Sequence, residues 1–166
     1  YVAHKLRRIY FHLYKIEDRI EALGMREIPK TWRQVESVLY LQRELDMVPG
    51  LSPTREWIAS PDRVIERVRH VRRAKPKRIV ECGSGASTVA IARALQQNGG
   101  GHVHSLDHDA KFAEITRQRL AEAGLSDFAT VITAPLREQR IGERTSAWYD
   151  VPKLPDGPYD MVVVDG

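Results

Sequence analysis

The residues best placed to do chemistry are Glu81-Cys82-Gly83-Ser84-Gly85-Ala86-Ser87-Thr88. They follow a short apolar run, Arg78–Cys82, and precede a helical pattern over about Ser87–Asn98. Glycines between a strand and a helix permit a tight turn and let a ligand approach the backbone. The start of the helix behind them presents N–H groups without intrahelical partners. Two acids accompany the glycines. Glu81 ends the first strand, and Asp107 ends the second, 22 residues after Gly85. A doubly wound α/β fold places there the carboxylate that bonds ribose hydroxyls. Plainer uses exist for each: a tight turn for Gly83 and Gly85, a strand-end cap for Asp107. Cys82 reads as a small packing residue, since no His–Asp arrangement around it marks a nucleophile.

A dinucleotide fingerprint requires a third glycine where this chain has Thr88. An acid directly ahead of the glycines also repels a diphosphate and suits a cationic ligand. S-adenosylmethionine carries a sulfonium and an ammonium and no phosphate, so the charges favour it over NAD.

At these residues the chain resembles the class I S-adenosylmethionine-dependent methyltransferases, through the acidic-x-Gly-x-Gly motif and the acid after strand two. More narrowly, ECGSGASTVAIA, SLDHD, APL, WYD, the terminal VVVDG and the earlier REWIASPD are similar to a bacterial subgroup of Rossmann-type methyltransferases. The resemblance covers roughly residues 53–166. It implies that Glu81, Gly83 and Gly85 line the methionine end of the cofactor. Ser87 and Thr88 would cap the helix and reach the carboxylate. Asp107 would hold the ribose diol, with His108 beside the adenine. Asp165 would face the substrate and the transferable methyl, as the candidate catalytic residue and general base. Many relatives bond the adenine amino group with an acid after strand three. Here that stretch is Thr133-Ala134-Pro135, which leaves backbone groups or Leu136 for the task.

The surrounding elements are those of a layered α/β fold. Strands are expected at Arg78–Cys82, His102–Asp107, Ala129–Thr133 and Met161–Asp165. Their short continuous apolar runs suit a parallel sheet covered on both faces. Helices separate the first three, the second capped by Asp109, facing inward with Phe112, Ile115, Leu120 and Ala123, and stopped by Gly124. The expectation is a Rossmann-like sheet, its first four strands in the order 3-2-1-4. Residues 135–159 show no clear period, and Trp148 and Tyr149 within them read as either a substrate wall or a loop anchor.

An N-terminal helical region, residues 1–59, is expected ahead of a cofactor-binding domain at 60–166. Val2, Leu6, Ile9, Leu13, Ile16, Ile20 and Leu23 form an a/d seam, with Gly24 as its stop. Residues 2–23 are therefore read as a heptad helix, either a short coiled coil joining protomers or a helix packed on its own domain. A second helix is expected from Trp32 to about Met47, followed by a loop over Leu51–Ala59. A third opens at Ser60-Pro61-Asp62 and buries Val64, Ile65, Val68 and Val71.

Net charge is +4, yet residues 1–75 carry 16 basic against 10 acidic residues and residues 76–166 carry 10 against 12. The densest basic stretch is Arg67–Arg78. It is read as a solvated helix face, with RNA binding as the alternative, because no aromatics interleave it. A single cysteine permits no internal disulfide and suits a reducing, cytoplasmic setting. No apolar run approaches the length of a membrane span, and no His/Cys/carboxylate spacing suggests zinc; metal binding by Asp165, with ligands from outside this stretch, stays open. The function expected is methyl transfer to the oxygen or nitrogen of an unidentified small-molecule or glycan-type acceptor. The rivals are an NAD-type oxidoreductase on the same fold and a non-catalytic assembly module. Because the resembling family needs seven strands and four are visible, a chain cut after its fourth strand is expected, one that holds much of a cofactor site but does not transfer methyl alone.

Overall fold

The computed structural model describes residues 2–45, 60–150 and 154–164. The loop expected over Leu51–Ala59 and the candidate Asp165 lie outside these residues. Helix α1 runs Val2–Ala22, passes through a single π turn at Leu23–Glu27 and continues as α2, Ile28–Leu45. Gly24 thus does not stop the first helix. A mid-helix glycine costs only about 1 kcal/mol, and the chain beyond it keeps its helical bonding, with Ile28 N–H donating to Leu23 O.

Helix α3 spans Pro61–Ala74, with Ser60 at the N-cap, Pro61 in the first turn and Asp62 facing the positive end of the dipole. The Ser60 side chain makes no capping bond to the backbone. It pairs with Asp62 instead, which helps to hold that carboxyl below its ordinary pKa. The expected stripe of Val64, Ile65, Val68 and Val71 is buried.

The sheet alternates with helices: β1 Arg78–Cys82, α4 Ala86–Gln97, β2 His102–Asp107, α5 Ala110–Glu122, β3 Ala129–Thr133 and, later, β6 Met161–Val164. Its order is β3-β2-β1-β6, all parallel. That is the expected 3-2-1-4 arrangement, with β6 as the fourth parallel strand. The stretch without period contains an antiparallel hairpin, β4 Leu136–Ile141 and β5 Arg144–Tyr149, separate from the main sheet. Its two-residue turn has Gly142 at φ 63, the sign that tight hairpin turns demand.

Strand alternation sorts the core into two layers. Ile79, Val103, Val131 and Val163 face α2–α5, meeting Leu41, Leu45, Val68, Val71, Ile91 and Leu95. Val80, Cys82, Leu106 and Ile132 face the other way, against Ala134 and Tyr149, with Leu154 and Tyr159 alongside. Val162 and Val164 remain exposed on β6. In α5 the buried residues are Ala113, Thr116 and Leu120, while Phe112 is exposed. Of the expected face, Leu120 is buried and Ala123 packs against the core, whereas Ala113 and Thr116 are buried in place of Phe112, which sits in the first turn, where Asp109 accepts bonds from the Lys111 and Phe112 N–H groups.

Several cations of the basic stretch are used inside the molecule. Arg72 donates to the Glu44 carboxylate at 2.6 Å, to the Glu44 carbonyl and to Gln97 at 2.6 Å, tying α3 to α2 and α4. Arg69 pairs with Glu66 and lies over the Tyr40 ring. Among the described residues no helix is long and apolar enough to cross a membrane.

Candidate functional site

The carboxyl ends of β1 and β2 place Glu81, the glycine turn and Asp107 side by side. Cys82 pairs with Leu106 in register, and the Gly83 N–H donates to Leu106 O at 2.8 Å. Gly83 has φ 98, a conformation that side chains rarely tolerate. A Cβ on Gly85 would touch nothing within 4 Å, so the start of α4 opens onto free space.

Asp107 is 5% exposed and holds this turn in place. Its Oδ2 accepts the Ser84 hydroxyl at 2.5 Å and the Ser84 N–H at 3.2 Å. Its Oδ1 accepts the Asp109 N–H at 3.0 Å. The Ser84 hydroxyl also lies 3.2 Å from that of Thr116, a buried α5 residue. A carboxylate accepts about four hydrogen bonds, so Asp107 is largely satisfied by its own chain. A ligand diol must displace the Ser84 hydroxyl to bond there.

Glu81 sits beneath the turn, fully buried. Ser87 donates to its Oε1 at 2.7 Å and Thr88 to its Oε2 at 2.6 Å. The Gly85 N–H in turn donates to the Thr88 hydroxyl at 3.0 Å. Burial raises the Glu81 pKa, while the Ser87, Thr88 and Ser105 hydroxyls and the Arg67 charge pull it back. The Ser87 and Thr88 hydroxyls therefore cap the helix inward, onto Glu81, and neither is turned toward a ligand. The same geometry weakens the charge argument drawn from the sequence. A carboxyl with no exposed surface, its two oxygens already engaged by Ser87 and Thr88, offers no face to a cofactor. What still separates this turn from a dinucleotide site is Thr88 itself, whose buried side chain fills the place of the third glycine and lies 3.3 Å from Ser105.

The rim is built from His108, Tyr149 and Leu136. His108 is exposed, with Nδ1 4.0 Å from Asp107 Oδ1 and its ring 6.5 Å from that of Tyr149. Tyr149 is buried, and desolvation, then the charges of Cys82, Asp107 and Glu81, raise its pKa. Trp148 packs edge-on against it and is partly exposed. The hairpin is anchored beside the turn by Asp150, whose N–H donates to Pro135 O and whose carboxylate pairs with Arg137. The Ala134 N–H donates to Asp107 O at 2.7 Å. That backbone donor is therefore already used, and half-exposed Leu136 is the contact left on this side.

Sequence reasoning passed over Ser84 and Thr116. Ser84 stood inside the quoted motif as the residue between two glycines, and a hydroxyl there, one strand from an acid, was the available signal. Thr116 carried no signal, since its role depends on how α5 packs. Among the described residues no group of His, Cys, Asp and Glu is arranged to hold a metal ion.

Comparison with known proteins gives this geometry a family. Catechol O-methyltransferase of Mycobacterium tuberculosis is 31% identical over 91 residues, 54% of this chain and 36% of that protein. The chain thus spans about a third of the length of the curated relative it matches. In the crystal structure of the SAH-bound Podospora anserina methyltransferase PaMTH1, the likeness covers 80% of this chain and 49% of that one. It has a TM-score of 0.55 at 21% identity, which speaks for the fold. Residues 80–166, more than half of the chain and including the glycine turn, Asp107 and β6, match the family described as "Methyltransferase domain". The chain belongs to that methyltransferase-domain family.

Proposed function

We propose that the turn between β1 and α4, with Asp107, binds S-adenosylmethionine, and that the protein methylates an oxygen of a small acceptor. The observation that carries the reading is the buried Asp107 carboxylate at the end of β2, locked against the glycine turn by Ser84. Family membership supports it. So does the name of the mycobacterial relative, which points to a catechol-type hydroxyl as acceptor.

The donor set fits that cofactor. Asp107 offers a charged acceptor for vicinal hydroxyls once Ser84 swings aside. The open space over Gly85 admits a chain close to the backbone, and half-exposed Leu136, paired across the hairpin with Tyr149, offers apolar surface. When bound, the cofactor supplies an electrophilic methyl on sulfur. The residues of this chain bind and orient, which is where the rate gain of an in-line displacement mostly arises. Asp165, directly after β6, is the residue proposed to face the acceptor and take its proton.

Isothermal titration of residues 1–166 with S-adenosylhomocysteine tests the cofactor reading, with NAD as control. Heat with the first and none with the second is expected. No heat with S-adenosylhomocysteine, or an equal response to NAD, overturns it. Transfer of labelled methyl to catechol by the full-length protein tests the acceptor, and Asp165→Asn in that protein is expected to abolish transfer while sparing cofactor binding.

A further inference from the structure

Helices α1 and α2 carry a surface that the site does not use. Every described side chain from Lys5 to Glu21 is exposed, although Leu13, Ile16, Ile20 and Leu23 recur at seam spacing. Large exposed apolar residues continue past the π turn as Ile28, Trp32, Val35 and Leu39. The step from Leu23 to Ile28 is five residues, one more than the repeat allows. At about 100° per residue, an unbroken α-helix would rotate the second group about 100° away from the first.

The π turn absorbs that residue. The Ile28 N–H donates to Leu23 O, an i→i+5 bond that places one more residue in the turn. With the extra residue taken up, all eight side chains fall within roughly 80° of one another around the helix. They form one stripe about 40 Å long. Each is between 44% and 64% exposed. The opposite side of α2 is already engaged, through Leu41 and Leu45, in the domain core.

We propose that this in-phase stripe is a self-association seam along which copies of this chain pair in parallel. Eight such side chains offer on the order of 100 Å² each, close to the ~800 Å² per partner of a stable interface. Charge sets the direction. With Leu6, Leu13 and Ile20 at a, the g positions are Lys5, His12 and Arg19 and the e positions Ala3, Tyr10, Glu17 and Gly24. Antiparallel pairing of α1 on α1 sets g against g and brings the Lys5 and Arg19 cations together, and antiparallel pairing along the whole stripe sets α1 against α2 and parts His12 from Glu17. Parallel pairing sets g against the next e, so His12 meets Glu17 and no like charges face. A lipid surface would favour an unbroken basic flank, whereas Glu17, Asp18 and Glu21 interrupt this one.

Sedimentation equilibrium of residues 1–166 between about 10 and 100 μM tests the proposal, since interfaces of this size hold in that range. A mass of at least two 18.9 kDa chains is expected. Leu13→Glu with Ile20→Glu should return it to one chain without moving the thermal unfolding of the α/β unit. Deleting Met25 leaves a four-residue step that an ordinary α-helix keeps in phase, so association should survive it, whereas inserting one alanine after Met25 adds a second extra residue and should weaken association at least ~10-fold by rotating the two halves of the stripe about 100° apart. Glu17→Lys should weaken it, and adding His12→Glu should restore it. Leu13→Cys in a Cys82→Ser background should cross-link to itself on oxidation. A single-chain mass at 100 μM overturns the proposal, whether or not the chain binds phosphatidylserine vesicles. Loss of association after the Met25 deletion, or undiminished association after the alanine insertion, overturns the role of the π turn. Association without the Leu13→Cys cross-link overturns the parallel direction.

Discussion

Asp107 and Ser84 allow a sharp experiment, because they touch each other and yet should respond in opposite ways. Asp107→Asn keeps the shape but turns one oxygen into a donor. Placed toward Oδ2, that amide meets the Ser84 N–H, and placed toward Oδ1, it meets the Asp109 N–H. Either orientation sacrifices at least one charge-assisted bond in a nearly dry setting, a loss of about 1.5–3 kcal/mol. For a domain of this size that corresponds to a fall in Tm of roughly 3–12 °C. Ligand binding suffers separately, since two hydroxyls lose a charged acceptor; about 3 kcal/mol, or roughly 100-fold in Kd, is expected. Ser84→Ala removes the 2.5 Å bond that a ligand diol must displace. It should lower Tm by a comparable amount while leaving the affinity for S-adenosylhomocysteine unchanged or a few-fold tighter. Thermal melts and calorimetric titrations of the two variants read both quantities. If Asp107→Asn binds within threefold of the unaltered chain, or Ser84→Ala weakens binding as much as it does, Asp107 is a loop lock and not the diol acceptor.

Glu81 should make stability fall as pH rises. Its folded pKa lies above the ordinary carboxyl value, so its favourable contribution is complete below the unfolded pKa and is lost as pH climbs through the folded one. Glu81→Gln should therefore show a Tm advantage at pH 8 that shrinks by pH 5; an advantage that grows on acidification refutes the sign. Gly101→Ala should cost about 2–3 kcal/mol in urea unfolding, because the new Cβ would lie 2.7 Å from both Leu95 Cδ2 and Pro76 O at φ +114. Gly99→Ala, with φ +81 but open space, should cost only about 1–2 kcal/mol, and equal losses would discredit the steric account. Arg72→Met should lose about 1–2 kcal/mol, discounted for its partial exposure, with hydrogen exchange accelerating in α2 before the sheet; uniform acceleration would remove the clasp role.

The parallel sheet could be read from the sequence because its two central strands are largely buried on both faces. Runs such as Arg78–Cys82 and His102–Asp107 then need no partner to be recognised, and their observed bounds coincide with those expected. The β4–β5 hairpin escaped because Leu136–Ile141 and Arg144–Tyr149 are mostly exposed on both faces, which leaves no alternation to detect. Gly24 misled for a related reason. A glycine marks a helix end only where the residues beyond it leave the helix, and here the π turn carries the chain on.

At the site, position and role separated. Glu81, Ser87, Thr88 and Asp107 stand together at the carboxyl ends of β1 and β2, as the motif implied, but spacing along a chain carries no information about which side chain consumes which. Two acids with similar credentials acquired different tasks through burial. Glu81 lost all contact with solvent and took the Ser87 and Thr88 hydroxyls as its partners. Asp107 stayed at the rim, held by a serine that can rotate. A hydroxyl pair already spent on a buried carboxyl has less to offer a ligand, which is why Asp107, and not Glu81, is the acid proposed to meet the cofactor.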